Sequence, residues 1–197
     1  MPRPAAPTLS RRSVLAASLA GVAVVSTRVA LAHNSVGVLN PPLPAPAIDL
    51  TLQDGSTSSL PRLLSGHTSA LQLMFTSCQA TCPIQGALFA QGARKLGDRV
   101  PDAQWLSISI DPTRDDPAAL RAWLARFGAH PRWLAARPDP AQLETLVSFL
   151  KSKQPGADPH TVQAYFFNRR GQLVLRSVDF PPVAELVRLF EAIDARD

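Results

Sequence analysis

The sequence predicts an α/β domain with three layers: a mixed central sheet, helices on both faces, and an N-terminal hairpin extension. Three observations predict it. From residue 48 onward the apolar period switches repeatedly between two and about 3.6, so strands alternate with helices. A short apolar run, Leu71 to Phe75, leads straight into a pair of cysteines and then a helical pattern. The chain closes as two strands joined by a tight turn and then an amphipathic stretch, adding an antiparallel portion to an otherwise parallel sheet.

Ile48-Asp49-Leu50-Thr51-Leu52 alternates apolar and polar side chains like a half-buried strand, and Asp54-Gly55 offers a hairpin turn. Leu71, Leu73, Met74 and Phe75 read as a buried strand. Pro83 suits the first turn of the next helix, whose apolar face is expected at Ile84, Ala87 and Leu88. Trp105 to Ile110 is a second central strand. Asp116-Pro117 caps and opens a helix bearing Leu120, Trp123, Leu124 and Phe127 at i, i+3, i+4 and i+7. A short strand near Trp133 precedes another such helix with Leu143, Leu146, Val147 and Leu150. Val162–Phe167 and Gln172–Val178 form a hairpin turning at Asn168-Arg169-Arg170-Gly171. Val183, Leu186, Val187 and Phe190 mark the closing helix. A strand running into cysteines, then a helix, with a final hairpin and helix, is the layout of a thioredoxin-type fold.

The N-terminus predicts export. Ser10-Arg11-Arg12-Ser13-Val14-Leu15 is a twin-arginine pattern, Val14 to Val25 is apolar, and Ala30-Leu31-Ala32 is a small-x-small cleavage pattern. The apolar core is too short to span a bilayer comfortably, where about 20 residues are needed. Residues 1–32 therefore read as a twin-arginine signal to the periplasm, removed after Ala32 to leave no stable membrane span. The alternative is an uncleaved inner-membrane anchor facing the periplasm. Residues 33–47, with Asn40-Pro41-Pro42-Leu43-Pro44-Ala45-Pro46, are expected as an extended tether, and 48–197 as the folded domain. The net charge of +5 is mostly the signal's: Arg3, Arg11, Arg12 and Arg28 stand there without an acid. The rest carries 16 basic and 15 acidic side chains, which gives no electrostatic footprint for nucleic acid.

The chain has two cysteines, Cys78 and Cys82, three residues apart. A disulfide closing so small a loop contributes only about 2 kcal/mol, against about 3 for a 15-residue loop, so the pair is better suited to chemistry than to bracing. At the head of a helix, backbone N–H groups and the dipole favour thiolate. Thiolate attacks disulfides and is also a soft ligand for Cu(I) or Zn. A metal needs a third ligand. His160 precedes the Val162–Phe167 strand, and in this layout the loop entering that strand lies over the sheet end where the cysteines emerge. His67 reads as a turn residue and His130 as a solvated residue after a helix end; His33 would become the mature N-terminus. Asp111, following the second central strand, stands at the same carboxyl end as Cys78, where it could orient His160 or accept a proton. Helix capping falls to Asp115 or Asp116.

Phe75-Thr76-x-Cys78-x-x-x-Cys82-Pro83, Ser109-Ile110-Asp111-Pro112-Thr113-Arg114-Asp115, and His160 ahead of a strand with Tyr165 and a Gly171 turn occur in this order. On these motifs the chain resembles the SCO/SenC family of copper-handling thioredoxin-fold proteins, from about Ile48 to Ile193. The resemblance implies copper, Cu(I) or Cu(II), bound by Cys78, Cys82 and His160, with Asp111 in the family's acidic position. It implies a client such as the apo subunit that carries the dinuclear copper centre (CuA) of cytochrome c oxidase, and a thiol reductant protein as a second partner. Family members commonly place a proline and an acid between the cysteines, where this chain has Gln79-Ala80-Thr81.

The expected function is a periplasmic copper chaperone. The alternative is a thiol–disulfide oxidoreductase in which Cys78 and Cys82 are the catalytic redox pair acting on a partner's cysteines. A peroxidase using one thiolate ranks below both.

Overall fold

The computed structural model describes residues 36–151 and 162–197, which belong to one compact unit running from His33 to Asp197. The expected signal, His33 and His160 lie outside the described residues. Eight strands form one sheet: β1 (Gly37–Pro44), β2 (Asp49–Leu52), β3 (Thr57–Ser59), β4 (Thr68–Met74), β5 (Ala103–Ser109), β6 (Trp133–Pro138), β7 (Tyr165–Phe167) and β8 (Gln172–Arg176). Their order is β1-β8-β7-β4-β5-β6-β2-β3. Only the centre is parallel, where β5 pairs with β4 and with β6; the outer pairings are antiparallel. The expected N-terminal hairpin is β2–β3, docked on β6.

Five α-helices are described: α1 (Leu60–Leu64), α2 (Thr81–Leu96), α3 (Pro117–Arg126), α4 (Leu143–Lys151) and α5 (Val183–Asp194). Strand alternation divides the core between the two faces. Trp105, Phe166 and Ala70 point into a layer with α2, α3 and α5; Leu106, Tyr165, Phe167 and Leu71 point into the layer with α1 and α4. β4 and β5 are buried at every position, as strands covered on both faces must be. This is the three-layer, thioredoxin-like arrangement.

Two expectations need amending. The proline-rich stretch is extended, but Gly37–Pro44 is more than a link: it pairs with β8 as an edge strand. An edge tolerates Pro41, Pro42 and Pro44 because no further strand needs their missing N–H donors. The apolar face of α2 is also rotated from the one predicted. Ile84 is 54% exposed, and the buried side is Cys82, Gln85, Gly86, Phe89, Ala90, Ala93 and Leu96. The rings above it set that phase: Phe127 and Trp105 pack so close to Gly86 and Gly92 that a Cβ at either would come within 2.6 Å.

Candidate metal centre

β4 hands the chain to the cysteines at its carboxyl end. The turn is closed by the Cys78 N–H donating to the Phe75 carbonyl at 3.1 Å. Helix α2 then starts from Ala80, which has no side chain to cap it. A helix begins with unpartnered N–H groups. Here Cys82 N–H donates to Cys78 Sγ at 3.4 Å, and Pro83 has no N–H to satisfy. The Cys78 sulfur thus takes the place of a cap at the positive end of a 16-residue helix.

Both thiols are free, at 6% and 5% exposure, though Cys82 lies deeper among protein atoms. Burial pushes the Cys78 thiol up, but hydrogen bonds from the Cys82 thiol and amide, with Ala80 and Thr81, outweigh it and hold the group below its ordinary value. For Cys82 burial prevails and pushes the thiol up to about 12, helped by its donation to Cys78 and by the neighbouring charge. Of the two sulfurs, Cys78 is therefore the more readily deprotonated.

The carboxyl end of β5 lies beside that of β4, with Ile110 N–H donating to the Met74 carbonyl at 2.8 Å. Asp111 spends its oxygens within its own loop, accepting from Thr113 Oγ1 at 3.1 Å and lying 3.7 Å from Arg114. The acid that reaches the cysteine loop is Asp115, which accepts from the backbone and hydroxyl of Thr76. Asp116 alone caps α3, accepting from Ala119 N–H at 2.7 Å. The sequence places the cap at Asp116, as observed, but gives Asp115 no role beyond a second candidacy for it; two adjacent acids before one Pro117 was the available signal.

Gln85 was also missed. It is 2% exposed, and its Nε2 donates to the Gln163 carbonyl at 3.0 Å, so the second described residue after the gap lies against the first turns of α2. On the other side of the gap, the buried Arg176 guanidinium donates to the carbonyls of Phe149 and Leu150 and holds the last turn of α4. His67 and His130 stand at the far end. His67 Nδ1 is 3.3 Å from the Asp102 carbonyl before β4, and His130 Nδ1 accepts from Arg132 N–H before β6. A seven-residue strand, about 20 Å, separates that end from the thiols. Among the described residues no group of three His, Cys, Asp or Glu side chains is placed to hold a metal.

A sequence profile of the SCO1/SenC family matches residues 45–187, most of the chain. The chain belongs to the SCO1/SenC family. Over 75 residues it is 32% identical to the SCO1 protein homolog of Bacillus subtilis, a match covering 38% of each chain. This SCO1/SenC domain is also similar to solved structures. One is Bradyrhizobium japonicum ScoI with copper bound, at TM-score 0.62 and 21% identity over 76% of this chain and 99% of that one. Another is BsSco, described as a cytochrome c oxidase assembly protein with a disulfide switch, at TM-score 0.67 and 20% identity over 80% and 96%. At these identities the likeness is one of fold.

Proposed function

We propose that the mature chain is a periplasmic copper chaperone in which Cys78, Cys82 and His160 hold copper and pass it to an apo cuproenzyme subunit such as the CuA subunit of cytochrome c oxidase. The observation that carries it is the pair of soft thiols at the head of α2, in a family in which a relative of the same fold has been solved with copper bound. Placing His160 as third ligand is supported by Gln163, three residues on, lying against the cysteine helix. Two thiols and an imidazole suit Cu(I), which binds as the thiols release their protons.

The test is Cu(I) titration of the reduced chain against a competing chelator, for wild type and for Cys78→Ala, Cys82→Ala and His160→Ala. The cysteine variants are expected to lose high-affinity binding and His160→Ala to weaken it by about 10- to 100-fold, the scale of a disturbed metal shell. Unchanged affinity in both cysteine variants removes the site; an unchanged His160→Ala removes only the third ligand.

The unequal thiols favour a second reading, reduction of a partner's disulfide. The Cys78 thiolate attacks, the partner's S–S bond breaks, and a mixed disulfide forms as the first partner thiolate leaves. Cys82 then gives up its proton and attacks Cys78 Sγ, releasing the second partner thiol and closing the Cys78–Cys82 disulfide. Both electrons come from this pair, and a thiol reductant protein restores it. Reduction that survives His160→Ala and rigorous copper removal selects this reading.

A further inference from the structure

Asp115 and Asp116 are adjacent, yet only one serves its own helix. Asp116 caps α3. Asp115 turns inward and is 1% exposed. Its Oδ2 accepts from Thr76 N–H at 3.0 Å and from the Ser109 hydroxyl at 2.6 Å, and its Oδ1 accepts from the Thr76 hydroxyl at 2.6 Å. Burying a carboxylate is unfavourable unless charge-assisted hydrogen bonds replace its water, and three do so here. Ser109 is the last residue of β5, and its oxygen also accepts from Asp111 N–H at 2.9 Å. The carboxylate thus ties the end of a rigid central strand to Thr76, two residues before Cys78.

We propose that Asp115 is a positioning residue of the thiol pair: through Thr76 it holds the loop carrying Cys78 in its dithiol position and so sets how readily Cys78 and Cys82 oxidise. The inference rests on the pair being the working site, as proposed above, and not on copper being its cargo. In the dithiol form Cys78 Sγ accepts the Cys82 N–H. Closing the disulfide brings the sulfurs to about 2.05 Å, and on this proposal the Cys78 loop shifts to let them meet. A contact that holds the loop in one of two states favours that state by its differential free energy. The carboxylate clamp therefore favours the dithiol.

The experiment equilibrates the full chain with reduced and oxidised glutathione at set ratios. Cys78 and Cys82 lose two protons and two electrons as their S–S bond forms, and glutathione disulfide takes both and is cleaved to two thiols. The disulfide fraction is read by mass after alkylation. Asp115→Asn is expected to move the equilibrium towards the disulfide about tenfold, or about 30 mV, and the near-isosteric Thr76→Val about threefold, or about 15 mV. The double variant moves it no further than Asp115→Asn alone, because both act through one contact. Asp116→Ala, which weakens α3 without touching Thr76, leaves it unchanged. An unmoved or oppositely moved equilibrium in Asp115→Asn and Thr76→Val overturns the inference, as does an equal shift in Asp116→Ala. Should Asp115→Asn fail to fold, Thr76→Val decides alone. A wild-type pair that never closes also overturns it, whereas absent Cu(I) binding, measured separately, overturns the cargo and leaves the clamp standing.

Discussion

Cys78 and Cys82 are four positions apart and both nearly hidden from solvent, yet their surroundings push them in opposite directions. The cause is local: one sulfur accepts at a helix N-terminus, while the other donates from inside the core. Limiting alkylation at pH 7–8 is therefore expected to label Cys78 first, with Cys82 modified only after unfolding, as peptide mass mapping would show. Equal labelling of the folded chain would refute the asymmetry. Cys82 also makes stability depend on alkaline pH. Its folded value of about 12 lies above the ordinary 9.0, so the unfolded chain loses that proton first. Its contribution is complete below pH 9 and lost as pH rises towards 12, with a limiting slope of about 1.4 kcal/mol per unit. Urea midpoints between pH 8 and 10.5 are expected to fall for wild type and to flatten in Cys82→Ala. At the head of α3, Asp116→Ala is expected to cost about 1 kcal/mol through the lost cap.

At the scale of the element, α2 shows where periodicity runs short. Ile84, Ala87 and Leu88 predicted one apolar face, but the helix buries the stripe through Gly86, Phe89, Ala93 and Leu96. Counting apolar residues cannot show that a glycine is buried because a ring lies on it. Trp105, itself wedged between Phe89 at 5.0 Å and Phe190 at 4.6 Å, occupies the space over Gly92. In an exposed helix Gly→Ala gains about 1 kcal/mol. Here the new methyl meets a ring that is 2% exposed and hemmed in, and such overpacking costs about 1–3 kcal/mol. Gly92→Ala is therefore expected to lower stability in chemical denaturation, while Ile84→Ser on the exposed side stays within about 0.5 kcal/mol. A stabilised Gly92→Ala would contradict the packing. The helices α3, α4 and α5 lie where their spacing predicted, because each carries a continuous apolar stripe that faces the sheet.

For the whole molecule, the parallel centre places the ends of β4 and β5 side by side, and with them the thiols and the Asp115 clamp. Chemistry gathers at the carboxyl ends of such strands because the loops leaving them are free to carry it. His67 and His130 sit at the amino ends and are excluded from the thiol site by topology, whatever their affinity for metal. A ligand that binds only the folded chain stabilises it by mass action, about 2.7 kcal/mol at 100 times its Kd. Under reducing conditions Cu(I) is thus expected to raise the thermal midpoint of wild type in a concentration-dependent way. Cys78→Ala is expected to lose that response while keeping its unliganded fold; a persistent response would place copper elsewhere.

Local pattern alone determined the order of strands and helices from β4 onward, the capped start of α3, the closing hairpin and the cysteine pair at a helix head. Each depends on residues within about ten positions of one another, where periodicity, capping and turn chemistry act directly. Tertiary structure decided which strands run parallel, that a proline-rich stretch becomes an edge strand, and which face α2 turns inward. It also decided which of two neighbouring aspartates reaches the cysteine loop. Those outcomes rest on contacts between residues about 40 or more positions apart, such as Thr76 with Asp115 and Gln85 with Gln163. No spacing rule along the chain encodes them, because they exist only once the sheet has brought its strand ends together.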